Sequence, residues 1–193
     1  DKSYHLFNEK CFKKMKKGAW LFNTSRGEVA DTAALKNALE SGKLGGAVID
    51  VWENEPDIDL EFMAKTFIAT PHIAGYSTDG KANGTAMIVN SLCKHFDLPL
   101  KNWYPLNVPP PTTPEISING IGKSDEDIIR EAVFHTYNIE EDDIKLRFSP
   151  SDFEKYRGDY PIRREFTSYT LRLKSCPGKS RQILKDMGFR VSI

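Results

Sequence analysis

Three short apolar runs, GAWLFN at 18–23, GGAVID at 45–50 and TFIATP at 66–71, place the tightest limit on how this chain can fold. Each is too short for a helix and is continuous rather than alternating, the pattern of parallel strands buried on both faces. Between the first two lies DTAALKNALESGKLGG, which reads as a helix with Asp31 at its N-cap and glycines at its end. Strand followed by helix, repeated, predicts an α/β fold: the C-terminal part of a doubly wound, Rossmann-type parallel sheet.

The flanking segments obey the same grammar. NEKCFKKMKK at 8–17 reads as a short surface helix with Asn8 as N-cap. Residues 81–96 read as one long return helix whose few charges predict packing on more than one side. Residues 97–115 hold six of the eleven prolines, which neither a packed helix nor a central strand accepts, so this stretch reads as a linker. After it come a strand at EISING, a helix capped by Ser124, a helix at SDFEKYRGDY, an alternating strand at SYTLRLK, a helix at GKSRQILKDMG and a last strand at FRVSI. The expected division is therefore 1–96, linker 97–115, and a small α+β domain at 116–193.

Composition excludes several partners. With 27 basic and 27 acidic residues, no charge excess points to nucleic acid or to an anionic membrane surface. Cys11, Cys93 and Cys176 are odd in number and lack metal-ligand spacing, which fits reduced thiols in the cytoplasm and no metal site. The sequons at Asn23 and Asn83 have no signal peptide or long apolar span to bring them to a secretory path. INGIGKS and SCPGKS end like a phosphate-binding loop, but the required first glycine is Ser117 in one and Leu173 in the other. No G-x-G-x-x-G occurs. The chain opens without an initiator methionine, inside a strand-to-helix passage, so an upstream half carrying that loop is expected, and the 193 residues alone are expected to be inactive.

Ligands of open parallel sheets sit outside the carboxyl ends of the strands. Here the first strand delivers Arg26, the second Asp50 and Glu55, and the third His72. Histidine exchanges protons near neutral pH, and a carboxylate beside it fixes its tautomer and favours its charged form, so Glu55 and His72 read as a pair. Arginine offers a planar fork matching a substrate carboxylate. Asp50 directly follows its strand, where it could accept from an amide or sit beside a cationic ring, and nicotinamide offers both. Taken singly, the carboxylates also fit loop caps, Arg26 a surface ion pair, Trp52 plain core and His72 an ordinary satisfied histidine.

NTSRGEVAD, AVIDVWENEP and ATPHIAGYS, in this order and spacing, resemble the D-isomer-specific 2-hydroxyacid dehydrogenases. The resemblance implies hydride transfer to NAD, with Arg26 anchoring substrate, Glu55 orienting the histidine and His72 as acid/base. It places cofactor contacts at Thr24, Ser25, Arg26, Asp50 and Gly75. DVWENEP, TPHIAGYSTDGKANGT and a tail with FEKYRGDYPIRREF and LKDMGF are similar to a subgroup with an extra C-terminal dimerisation domain. That likeness implies a small phosphorylated hydroxy acid, 4-phospho-D-erythronate, oxidised to its 2-oxo acid in vitamin B6 synthesis, with a substrate contact at Tyr76. The alternatives are a 3-phosphoglycerate-type dehydrogenase or a non-catalytic NAD-binding corepressor or sensor. A homodimer through the tail is expected, because so small a domain with three short strands has limited means of burying its apolar faces. Arg163 and Arg164 are read either as solvated charge or as a phosphate contact reaching a partner's site.

Overall fold

The structure, a computed structural model, describes residues 2–192. In chain order the elements are α1 (Glu9–Lys14), β1 (Ala19–Asn23), α2 (Thr32–Glu40), β2 (Leu44–Ile49), α3 (Leu60–Lys65), β3 (Ile68–Ala69) and α4 (Thr78–His95). There follow β4 (Glu115–Asn119), α5 (Asp125–Thr136), α6 (Ile139–Phe148), α7 (Phe153–Gly158), β5 (Thr170–Lys174), α8 (Gly178–Asp186) and β6 (Arg190–Ser192).

The chain divides into two compact units, residues 1–74 with 139–160, and residues 75–138 with 161–193. The first contains a parallel sheet in the order β1-β2-β3. Its local starts are where the sequence puts them: Asn8 accepts from the Lys10 and Cys11 amides to open α1, and Asp31 accepts from Ala34 N–H to open α2. Phe12, Leu35, Ala47, Ile49, Trp52 and Phe62 form its core, together with Leu146 and Phe153 from α6 and α7.

That last pair explains why the division departs from a 1–96 and 116–193 split. The apolar sides of α6 and α7 are spent in the first core, so 139–160 groups with the sheet of β1 to β3. The proline-rich stretch, read as a linker, groups instead with the second unit. Asn90 of α4 donates to Trp103 O at 2.9 Å and accepts from Trp103 N–H at 2.7 Å, which pins it there. The helix α4 starts at Thr78, earlier than the expected 81, because Ser77 caps it through Gly80 N–H at 3.0 Å. Met87 and Ile88 of α4 are 70% and 72% exposed in the single chain.

The second unit has its own parallel sheet, β4-β5-β6. A parallel sheet with crossover helices replaces the segregated strands that an α+β reading implies, since β4 is followed by α5, and α8 connects β5 to β6. Burial alternates along β4 and β5, and Ile116, Ile118, Leu171 and Leu173 turn inward to a core shared with Ile128, Leu184 and Phe189. Ser124 and Asp127 close a capping box on α5.

Arg164 lies within this unit and is not a free phosphate contact. Its Nε and Nη2 donate to Asp79 at 2.8 and 2.9 Å, both side chains are 13% exposed, and Nη1 donates to Pro109 O. Glu165 N–H adds a third bond to Asp79 at 2.7 Å. Arg163 sets its guanidinium over the Tyr137 ring, 4.4 Å from its centroid. The Arg164 guanidinium, followed by the Glu165 amide, holds the Asp79 carboxyl below the ordinary carboxylate range against the opposing effect of burial. Stabilisation from such a depressed group is complete above the unfolded carboxylate pKa and is lost as pH falls through the folded value. Arg164→Ala is expected to cost about 2–3 kcal/mol at neutral pH, because it strands a mostly buried carboxylate. Thermal melts should show a smaller deficit toward pH 3 than at pH 7; an equal deficit at both would remove the ion pair from the account.

Candidate active site

Three turns at the carboxyl ends of β1, β2 and β3 are tied together by side chains that the sequence places immediately after each strand. After β1, Asn23 Oδ1 accepts from the Ser25 amide at 3.2 Å and hydroxyl at 2.9 Å, while its Nδ2 donates to Arg26 O at 3.0 Å. This folds residues 23–26 into a tight turn with Thr24, Ser25 and Arg26 exposed. Arg26 donates Nη1 to Ser25 O at 2.6 Å, and the rest of its fork has no other partner among the described residues.

Gly27 comes next because nothing larger fits. A Cβ there would lie 2.0 Å from Trp52 C and 2.4 Å from Glu53 N, so the Arg26 turn rests directly on the backbone of the segment carrying Glu55. That segment is held from its other side by Glu53, whose carboxylate accepts from Thr32 N–H at 3.0 Å and meets His5 Nε2 at 2.7 Å. Burial pushes the Glu53 carboxyl up, but the hydrogen bonds from His5 and Thr32 outweigh it and hold the group below its ordinary range. His5 and Glu53 were not singled out from the sequence, because His5 meets Glu53 across 48 residues and Glu53 meets Thr32 across 21, too far for a local pattern to show.

Asp50 is 3% exposed and ties all three turns. Its N–H donates to Asn23 O at 3.0 Å. Its Oδ1 accepts from Thr70 Oγ1 at 2.6 Å and Ile73 N–H at 2.8 Å, its Oδ2 from Ala74 N–H at 3.0 Å, and its carbonyl from His72 N–H at 2.7 Å. A buried carboxylate needs such partners, and here they wrap the histidine turn around it.

His72 has φ 56°, in the left-handed region. Its Nδ1 lies 2.8 Å from Glu55 Oε2, the two side chains being 25% and 19% exposed. Glu55 Oε1 accepts from Trp52 N–H at 2.8 Å, and the Trp52 indole donates to Thr70 O at 3.0 Å. An ionised carboxylate only accepts, so the proton of the neutral ring sits on Nδ1 and Nε2 is the basic nitrogen. The arrangement sets an imidazole, the carboxylate bonded to it and an arginine fork on one sheet edge.

Gly75 and Tyr76 fall in the second unit. A Cβ at Gly75 would meet nothing within 4 Å, so space does not demand glycine there. Lys81 Nζ stands 4.2 Å from the Tyr76 ring centroid.

Residues 1–74 match the family described as D-isomer specific 2-hydroxyacid dehydrogenase, NAD binding domain. Those 74 residues belong to the D-isomer-specific 2-hydroxyacid dehydrogenases. Residues 107–188 match a family described as a domain of unknown function. Over both, the chain is similar to erythronate-4-phosphate dehydrogenases. It is 47% identical to that of Bacteroides fragilis over 170 residues, 88% of this chain and 46% of that protein. With that of Porphyromonas gingivalis it is 40% identical over 188 residues, 97% of this chain and 50% of that protein. The chain thus spans about half the length of the curated relatives it matches.

The sheet edge in this NAD-binding domain suits a nicotinamide nucleotide in its donor set. Asp50 Oδ2 takes only the Ala74 amide among the described residues, leaving acceptor capacity for a carboxamide, and the exposed Thr24 and Ser25 hydroxyls offer donors to polar groups at the end of β1. No described group of His, Cys, Asp and Glu could hold a metal ion, and no helix among the described residues is long and apolar enough to cross a membrane.

Proposed function

We propose that the protein of which this chain is part oxidises 4-phospho-D-erythronate to its 2-oxo acid with NAD. The observation that carries the reading is the 2.8 Å Glu55–His72 couple at the carboxyl edge of the NAD-binding sheet. The substrate comes from the similarity to erythronate-4-phosphate dehydrogenases over most of the chain.

NAD, when bound, supplies the hydride acceptor. His72 Nε2 takes the C2 hydroxyl proton, and Glu55 stabilises the imidazolium that results by accepting from Nδ1. Arg26 binds the substrate carboxylate with the unpaired part of its fork. Asp50 holds the histidine turn and accepts from the nicotinamide carboxamide, with Thr24 and Ser25 at the same edge and Gly75 just beyond the histidine. Tyr76 contacts the substrate. Three free thiols agree with a cytoplasmic enzyme.

A second copy of the chain is the proposed protein partner, docking through the second unit. Light scattering on the whole chain, whose first core includes Leu146 and Phe153, tests this: a dimer mass is expected, and a monomer at high concentration overturns it. The test of the activity is NADH absorbance with full-length protein and 4-phospho-D-erythronate, 3-phosphoglycerate and D-lactate in parallel. Turnover highest with the first is expected; preference for either of the others, or no NADH with any, overturns the substrate.

A further inference from the structure

The strand that delivers His72 is only two residues long and lies at the end of the sheet order, yet it must hold an imidazole to within a few tenths of an ångström. Such precision needs support beyond the groups that touch the ring. Part of it comes from α6, seventy residues downstream. Asp143 Oδ1 accepts from Ala69 N–H at 2.6 Å. Arg147 holds that carboxylate by its Nε, 2.9 Å from each oxygen, and its other two nitrogens donate to Met63 O of α3 at 2.8 Å and to the O of Thr66, its C-cap, at 3.0 Å. Leu146, fully buried between them, fixes α6 in the core. The carboxylate therefore stands on a rigid base and grips β3 three residues before His72. At the far end of the same span, Asp50 grips Thr70, Ile73 and Ala74. Without the Asp143 bond, β3 keeps its ladder to β2, with Phe67 N–H on Ala47 O at 2.8 Å and Thr70 N–H on Ile49 O at 2.9 Å, but the Ala69 amide on its outer edge loses its acceptor.

We infer that Asp143 is a positioning residue for His72, acting through the Ala69 amide to hold the imidazole against Glu55. The inference rests on the acid/base role proposed above, and its test reads the ring directly so that the two can fail separately.

Asp143→Ala removes the acceptor; Asp143→Asn keeps an oxygen facing Ala69 and gives up the negative charge and one of the two acceptors opposite Arg147 Nε. Hydrogen exchange and proton NMR of the full chain supply the first readout. In Asp143→Ala the Ala69 amide should exchange roughly tenfold faster or more, and the low-field His72 Nδ1–H resonance should broaden or move, while Asp143→Asn should keep both near wild type. The second readout is steady-state kinetics of the full-length protein. Asp143→Ala should lower kcat about tenfold to hundredfold, as a displaced catalytic group does, with KM for NAD near wild type and Asn restoring most of the loss. A lower melting temperature with an unmoved His72 resonance would leave Asp143 merely structural and overturn the inference. Should Asp143→Ala unfold, the Asn variant decides: fast Ala69 exchange with an unmoved ring resonance contradicts the coupling. Should His72→Ala prove fully active, the acid/base reading falls, while the ring resonance still reports whether Asp143 positions it.

Discussion

Replacing His72 with Ala is expected to lower turnover of the full-length protein about a hundredfold to ten-thousandfold, with NAD affinity nearly unchanged. The size follows from what the residue does: its Nε2 is the basic nitrogen of a ring whose Nδ1 is already committed to Glu55 at 2.8 Å. Little else should move, because Asp50 holds the 72–74 turn through the backbone amides of His72, Ile73 and Ala74, which the substitution leaves in place. The left-handed φ of 56° adds a modest strain that Ala carries less readily than His. Kinetics beside a fluorescence titration of NAD separate the two effects. Near-normal turnover would dismiss His72 as the base; a parallel loss of NAD binding would show that the turn had collapsed.

The second large effect is expected at Gly27. A methyl group there would have to occupy the space of the Trp52 carbonyl carbon, 2.0 Å away, and both partners are backbone, so no side chain can swing aside. Gly27→Ala should cost about 3 kcal/mol in denaturant unfolding, at the upper end of overpacking. It should also depress kcat/KM in the full-length protein, since the turn carrying Arg26 and the segment carrying Glu55 must part. Gly75→Ala is the control: open space surrounds its Cβ, and its stability should match wild type. Equal, small costs at both positions would show that the contact at Gly27 relaxes freely.

What was readable in the sequence was local. The β1, β2 and β3 runs, the caps at Asn8, Asp31 and Ser124, and the alternation along β5 are patterns confined to a few consecutive residues, and they reappear in the structure. Arg26, Asp50, Glu55 and His72 could be gathered because each directly follows such a strand, and parallel strands present those positions on one edge. The Glu55–His72 pair could be anticipated on chemistry alone.

The rest depends on pairings that no short window displays. The Asp79–Arg164 ion pair joins residues 85 apart, and Asp143 meets Ala69 across 74. The helix α6 was missed because IEEDDIKLRF opens on a run of acids and carries few apolar positions, so its periodicity is faint even though Leu146 ends fully buried. Missing α6 also hid that Leu146 and Phe153 join the core of the first sheet. At Gly27 only the approach of the Trp52 backbone shows why a side chain is excluded.

On the proposed reading the edge carrying Arg26, Glu55 and His72 takes the hydroxyl proton of a 2-hydroxy acid while the C2 hydride would pass to the nicotinamide. That reading is tested most directly by following deuterium from [2-²H]-4-phospho-D-erythronate into the reduced nicotinamide by mass spectrometry, with full-length wild type and His72→Ala side by side. One deuterium is expected in each NADH formed by the wild type, with a rate of label transfer at least about a hundredfold lower in the variant. NADH without label, or label transferred equally fast without His72, would contradict it.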